Sequence, residues 1–193
     1  MTSNALLNIS NISTAIADSD VPVISPEKQF IQLALEIETP LLLSVLNLVE
    51  ILTISTSQVV PVFQLPPWVI GVYNWRGDIL WMVDLNHLVG LSPWYQQQDY
   101  MSKHTVVVLK DRSKSVTSKS EELVLGLVVN RVDSMIVCEP EDIKTLIDLE
   151  IPQTIRSFLE GYWLGEHSQT HWILQGEAIL NAMPTENQFT QPA

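Results

Sequence analysis

Residues 69–85 read Val-Ile-Gly-Val-Tyr-Asn-Trp-Arg-Gly-Asp-Ile-Leu-Trp-Met-Val-Asp-Leu, and this stretch decides the fold class. Two apolar segments flank a polar turn at residues 74–78, in which Gly77 can adopt the positive φ that a tight hairpin needs. Asp84 stands where a helix N-cap is expected, and Gly90 fits the end of that short helix. The stretch therefore predicts a β-hairpin followed by a short helix.

The segments on either side of this hairpin also have the pattern of strands. Aliphatic side chains fall on every second position of residues 30–37, which is typical of a half-buried strand. Residues 41–45 can return antiparallel after a turn at Pro40, and residues 46–52 either continue that strand or form a short helical turn. Further strands are predicted at residues 104–110 and 122–137, with Gly126 as a bulge or a close-packing position.

The order of these elements is repeated loosely in the second half of the chain. The hairpin that begins at Gly71 and its short helix are echoed by Gly161 and the apolar segments at residues 171–174 and 177–180. A duplicated small β-barrel would show this order, because closing a sheet on itself removes exposed edges. The second hairpin is longer and has no acidic residue at the position of Asp84, so the residues alone leave duplication open.

Composition limits the classes of function. The chain of 193 residues has a net charge of −12, so a phosphate backbone would be repelled and binding to nucleic acid is not expected. Its hydrophobic content of 46% is enough for a sizeable core. The longest apolar stretch, residues 41–52, is too short and too interrupted for a membrane span. The start has no secretory signal, and the single cysteine, Cys138, cannot form an internal disulfide, so we expect a cytoplasmic protein.

Motifs for catalysis or cofactor binding are missing from the sequence. There is no glycine-rich phosphate loop and no nucleophile elbow, and we expect no catalytic residue, cofactor or metal. His167 and His171 have the i, i+4 spacing of zinc ligands on a helix, but they lie in a polar segment that is predicted to be a loop. A small metal-dependent enzyme using these histidines is one alternative. Another is an SH3-like module that binds peptides through some of the six tryptophans.

Three motifs together resemble those of the CheW family, the coupling proteins of chemotaxis-type signalling. They are Val49-Glu50-Ile51, the run from Pro66 to Gly77, and Val83-Asp84-Leu85 followed by Leu88-Val89-Gly90. The resemblance covers about residues 28–183, and it is weaker in the second half, where Gly126-Leu-Val-Val-Asn-Arg-Val132 and Gly161 carry it.

The resemblance implies a mostly β fold of two intertwined five-stranded SH3-like barrels with short helices. Residues 1–27 are rich in Ser, Asn, Thr and Asp and are expected to be a flexible tail. The resemblance makes residues 28–183 the CheW-like domain and leaves residues 184–193 as a C-terminal tail. The first lobe is expected at about residues 41–110. The second lobe is expected to combine residues 28–40 with residues 111–183.

The resemblance also implies a function and its residues. Family members are non-enzymatic adaptors, so the implied partners are the regulatory domain of a CheA-like histidine kinase and the cytoplasmic tip of a methyl-accepting receptor. The protein would then be cytoplasmic, without direct membrane insertion, and recruited to membrane receptor arrays through these partners. The partner-binding residues carried over from the family are Val49, Glu50, Gly71, Asn74, Trp75, Arg76, Gly77 and Asp84.

Two expectations at this surface are specific to the chain. Glu50 and Arg76 are expected to form an ion pair that orients the hairpin rather than stabilising the fold. Trp75 stands where the family often has an aliphatic residue, and Trp81 where it often has proline, so the surface or the barrel wall is bulkier than usual. Such differences suggest specialisation toward one receptor type, in a chemotaxis-type pathway that controls pilus-driven gliding or phototaxis rather than flagella.

Overall fold

A computed structural model describes residues 29–96, 103–110, 123–147, 150–165 and 168–184 of the chain. These residues contain ten strands. They are β1 (Gln29–Ala34), β2 (Leu41–Ser44), β3 (Leu48–Ser55), β4 (Val69–Trp75), β5 (Asp78–Asp84), β6 (Lys103–Lys110), β7 (Val124–Val129), β8 (Arg131–Val137), β9 (Leu159–Leu164) and β10 (Thr170–Leu174).

The helices are short and follow the strands. The described α-helices are α1 (Leu85–Leu88), α2 (Gln153–Arg156) and α3 (Gly176–Asn181). Single 3-10 turns occur at Thr56–Gln58, Trp94–Gln96 and Pro140–Asp142. Within the described part of the chain, no helix has the length and apolar character needed to cross a membrane.

The strands form two five-stranded sheets with the same internal plan. The order is β8-β1-β2-β10-β9 in one, called here the β1 sheet, and β3-β6-β7-β5-β4 in the other, called the β3 sheet. In each sheet the third and fourth strands are parallel and all other neighbours are antiparallel. The predicted fold class, mostly β with two intertwined five-stranded SH3-like units, is therefore confirmed.

The two sheets exchange strands between the halves of the chain. The β3 sheet takes three strands from the first half and the pair β6–β7, while the β1 sheet takes the pair β1–β2 and three strands from the second half. The hairpin β4–β5 with helix α1 thus has the same place as the hairpin β9–β10 with helix α3. This equivalence supports the duplication that the sequence left open.

The sheets divide the chain at different points from the two expected lobes. We expected residues 41–110 in one lobe, but β2 pairs with β1, for example Leu33 with Leu41, and so belongs with β8 to β10. Likewise β7, at Val124–Val129, belongs with β6 in the β3 sheet rather than with residues 131–183. The reason is that β1–β2 and β6–β7 are antiparallel pairs, and each pair stays together when the chain crosses between sheets.

The core lies in three places. One cluster fills the space between the two sheets, and a smaller cluster lies inside each sheet. Strand β6 contributes residues to two of these clusters. Val106 and Val108 face the inside of the β3 sheet, while Val107 and Leu109 face the β1 sheet. A strand buried on both faces is continuously apolar. Gly126 of β7 is a close-packing position, since a Cβ there would lie 2.9 Å from the Met82 sulfur.

In each sheet, one isolated residue pair joins the chain that follows one edge strand to the strand at the opposite edge. Val60, in the chain that continues from β3, exchanges two backbone hydrogen bonds with Val72 of β4, at 2.8 and 2.9 Å. Lys144, in the chain that continues from β8, does the same with Tyr162 of β9. These paired contacts link the edge strands of both sheets in the same way, as an SH3-like barrel requires.

Candidate functional site

The turn between β4 and β5 has the predicted geometry. Arg76 and Gly77 both have positive φ, at 56° and 96°, as the two central residues of a type I′ hairpin require. The Asn74 side-chain oxygen accepts a hydrogen bond from the Gly77 amide at 3.1 Å. This bond fixes the turn and leaves the Arg76 side chain pointing away from it, 68% exposed.

Glu50 reaches this turn from β3, on the other edge of the same sheet. Alternate residues of β3 face inward, so Glu50 shares a face with Leu52 and Ile54, which pack in the core of the β3 sheet. A carboxylate at the end of an apolar core needs partners, because burying an unpaired charge is costly. Glu50 has two of them, Trp75 and Arg76.

The two partners bind different oxygens of the Glu50 carboxylate. The Trp75 indole N–H donates to Oε1, and the Arg76 guanidinium donates to Oε2 at 2.5 Å. The guanidinium carbon also lies 5.2 Å from the Trp75 ring centroid, within the range of a cation–π contact. The three side chains form one unit, called here the Glu50 clamp. It joins β3, one edge strand of the sheet, to the hairpin that contains the other edge strand, β4.

Apolar side chains are exposed beside the Glu50 clamp. Val49 and Ile51 flank Glu50 and face outward, with 37% and 45% of their surface exposed. Ile79 stands opposite Asn74 in the hairpin and is 70% exposed. A polar clamp with apolar neighbours is the composition of a protein-binding surface, where apolar side chains supply contact area and fixed charges supply orientation.

Two of the expected partner-binding residues lie below the surface. Gly71 is buried, and it pairs with Met82 well away from the turn, so its role is not to shape the hairpin tip. Asp84 is 1% exposed and accepts hydrogen bonds from the backbone amides of His87 and Trp94. The bond from His87 makes Asp84 the N-cap of α1. Burial raises the pKa of the Asp84 carboxyl despite these two bonds. Both residues can affect a partner only through the residues that they position.

The sequence suggested part of the Glu50 clamp. The ion pair between Glu50 and Arg76 was expected from the family motif, and the structure contains it. The bond from Trp75 to Glu50 was not expected, since the two residues are 25 positions apart and no local pattern connects them. The pairing of Asn86 with Asn130, at 2.8 Å where β7 crosses to β8, was also missed for the same reason.

The structure offers no support for a metal site among the residues that it describes. No group of three or more His, Cys, Asp or Glu side chains in this part of the chain could hold an ion. His171 is buried, packs against Trp163 with ring centroids 5.2 Å apart, and its Nδ1 lies 3.1 Å from the Gln169 carbonyl oxygen. His167 lies outside the described residues.

The geometry defines a class of protein: two SH3-like five-stranded units of the same strand order, one of which carries the Glu50 clamp. The model of the CheW-like domain family matches residues 29–183, and the chain therefore belongs to the CheW family. This membership makes it a scaffold protein of chemotaxis-type signalling.

Solved structures agree with this assignment at the level of the fold. The scaffolding protein TtCheW from Thermoanaerobacter tengcongensis matches with a TM-score of 0.59 and 17% sequence identity, over 77% of this chain and 89% of that one. A search of curated proteins finds no match.

Proposed function

We propose that this protein is a non-enzymatic adaptor that couples a methyl-accepting receptor to a CheA-like histidine kinase. The carrying observation is the Glu50 clamp, which holds the β4–β5 hairpin in one orientation beside the exposed side chains of Val49 and Ile51. Adaptors act by binding, and a surface fixed before binding loses little entropy when a partner docks.

The charge of the protein supports a particular kind of partner surface. With a net charge of −12, association is favoured when the partner presents basic residues at the rim of the contact. Raising the salt concentration should therefore slow association more than it speeds dissociation. The protein itself is proposed to be cytoplasmic and to reach membrane receptor arrays through its partners.

Calorimetric titration tests this function directly. The titrants are the regulatory domain of a CheA-like kinase and the cytoplasmic tip of a methyl-accepting receptor, both from the same organism. We expect saturable binding of both, and weaker binding of at least one by Val49→Asp, because this substitution places a charge in the apolar contact. Ile147→Asp, on an exposed loop residue of the other half, is the matched control for the hairpin surface. Absence of binding to both titrants would contradict the proposal.

A further inference from the structure

A groove of about 420 Å³ opens in the β1 sheet beside the start of α3. Its floor contains Phe30 and Leu174, which are only 4% and 2% exposed. Leu46, in the connection from β2 to β3, forms one side and is 39% exposed. Glu160 and Glu177 stand exposed at the rim. The size and the apolar floor are those of a site that accepts a side chain of a ligand.

The two hairpin–helix units differ at the start of their helices, next to the groove. Helix α1 begins with Leu85, which is fully buried in the core, whereas the equivalent first residue of α3 is Gly176. The space beside Gly176 is taken by Asn47, since a Cβ at Gly176 would lie 2.9 Å from the Asn47 Oδ1. A polar side chain from the connection between β2 and β3 therefore lies beside the start of α3, at the edge of the groove.

The rim residue Glu160 also differs from its counterpart. The pairing register shifts between Val69 and Gly71 in the first hairpin, which leaves Ile70 as an extra bulged residue that packs against the core. The register shifts at the same place in the second hairpin, and the bulged residue there is Glu160, which is exposed. Bulges change the direction of a side chain, and this bulge places a carboxylate beside the groove.

The two rim carboxylates are available to a ligand. Among the described residues, neither the Glu160 side chain nor the Glu177 side chain forms a hydrogen bond or an ion pair. The position of Glu177 in the first unit is taken by Asn86, which is buried and bonded to the Glu36 amide and to Asn130. An apolar floor between two unpaired carboxylates is complementary to an apolar side chain with cationic neighbours.

We infer that this groove is a docking site for a segment of a partner protein that carries one large apolar side chain between arginine or lysine residues. The apolar side chain enters above Phe30 and Leu174, and the cationic groups pair with Glu160 and Glu177. The groove shares no residue with the Glu50 clamp or with Val49, so the inference does not depend on the proposed adaptor function.

The test uses the full chain and a fluorescent peptide, acetyl-Ser-Arg-Phe-Arg-Ser-amide. Fluorescence anisotropy should show saturable binding that weakens with salt. Glutamate in place of both arginines, or serine in place of phenylalanine, should abolish binding. The variant Glu160→Gln/Glu177→Gln should bind about two- to fivefold more weakly for each charge removed, the range typical of exposed ion pairs. Leu46→Ser should weaken binding without affecting the charges.

Two control variants and NMR mapping of the bound peptide test whether binding occurs in the groove. Glu38→Gln and Ile147→Ser remove an exposed charge and an exposed apolar side chain outside the groove, and both should bind the peptide as the wild type does. Amide NMR shifts on titration should concentrate at Leu46, Glu160 and Glu177. Equal affinity for the glutamate peptide, unchanged affinity in the double variant, shifts located elsewhere, or no binding up to about 1 mM peptide would each overturn the inference.

Discussion

Gly71 and Gly161 occupy the same position in the two hairpins, and each lies directly under a crossing backbone. A Cβ at Gly71 would be 2.2 Å from the Val60 carbonyl oxygen, and a Cβ at Gly161 would be 2.5 Å from the Lys144 carbonyl oxygen. These are the crossings at which the two edges of each sheet meet. The close approach that joins the edges therefore depends on the absence of a side chain at both glycines.

Substituting these glycines should destabilise the protein more than substituting the glycine of the turn. Gly71→Ala combines a backbone clash with a φ of 151°, and we expect a loss of about 2 to 5 kcal/mol in the free energy of unfolding. Gly161→Ala has only the clash and should lose about 1 to 3 kcal/mol. Urea denaturation followed by tryptophan fluorescence measures both.

Gly77→Ala is the matched control, because nothing lies within 4 Å of a Cβ there and only the positive φ is unfavourable. We expect it to lose about 1 kcal/mol. If Gly71→Ala were no less stable than Gly77→Ala, the crossing at Val60 would not be a constraint on the fold.

The Glu50 clamp should depend more on Trp75 than on Arg76. Trp75→Phe keeps the ring and removes the indole N–H, so a half-buried carboxylate loses a donor and we expect a cost of about 1 kcal/mol. Arg76→Ala removes an exposed partner and should cost less. The stability difference between Arg76→Ala and the wild type should disappear at high salt. Urea denaturation at low and at high salt separates the two effects.

Arg131→Ala provides the comparison for the clamp. Arg131 is also exposed and ion-paired, but its partner Asp133 is on the same strand, so its removal should not change the unfolding curve. The clamp would not hold the hairpin if Trp75→Phe had wild-type stability and the effect of Arg76→Ala were the same at low and high salt.

His104 should make stability depend on pH just below neutrality. Burial lowers the pKa of His104 below its usual value of 6.5, and its Nε2 lies 2.9 Å from the Thr56 hydroxyl. The unfolded chain then binds more protons than the folded one between the folded pKa and 6.5. The contribution of neutral His104 to the free energy of unfolding is present in full above pH 6.5 and is lost as the pH falls through the folded pKa.

The variant His104→Gln should lack this part of the pH dependence. The two proteins differ only at residue 104, so the difference between their unfolding free energies isolates His104. We expect the difference to shift in favour of the wild type as the pH rises through the interval between the folded pKa of His104 and 6.5. A difference that is constant over this interval contradicts the assignment.

Cys138 should react with thiol reagents only when the protein unfolds. It is 2% exposed, and burial, followed by the nearby charges of Asp142 and Glu139, raises its pKa to about 11. Because the thiolate is the reactive form, DTNB should label the native protein at a rate that follows unfolding. Protein in concentrated urea should be labelled at once, since its single cysteine is then exposed. Equal rates in both states would contradict the burial.

Local features could be predicted from the sequence because neighbouring residues determine them. The hairpin turn at Arg76 and Gly77, the N-cap at Asp84 and the end of α1 near Gly90, whose φ is 85°, are all as expected. Each depends on residues fewer than ten positions apart. The ion pair of Glu50 with Arg76 was available only through the family motif.

The sequence by itself determined the class of the fold, the hairpin and the family of this protein. Only the tertiary structure decided that β2 and β7 cross to the other sheet, that Trp75 shares the Glu50 carboxylate with Arg76, and that Gly71 lies under Val60. It also placed Gly176 and Glu160 around one groove. The physical reason is that these relationships join residues far apart in the chain, and their geometry is set by sheet pairing and core packing rather than by local conformational preference.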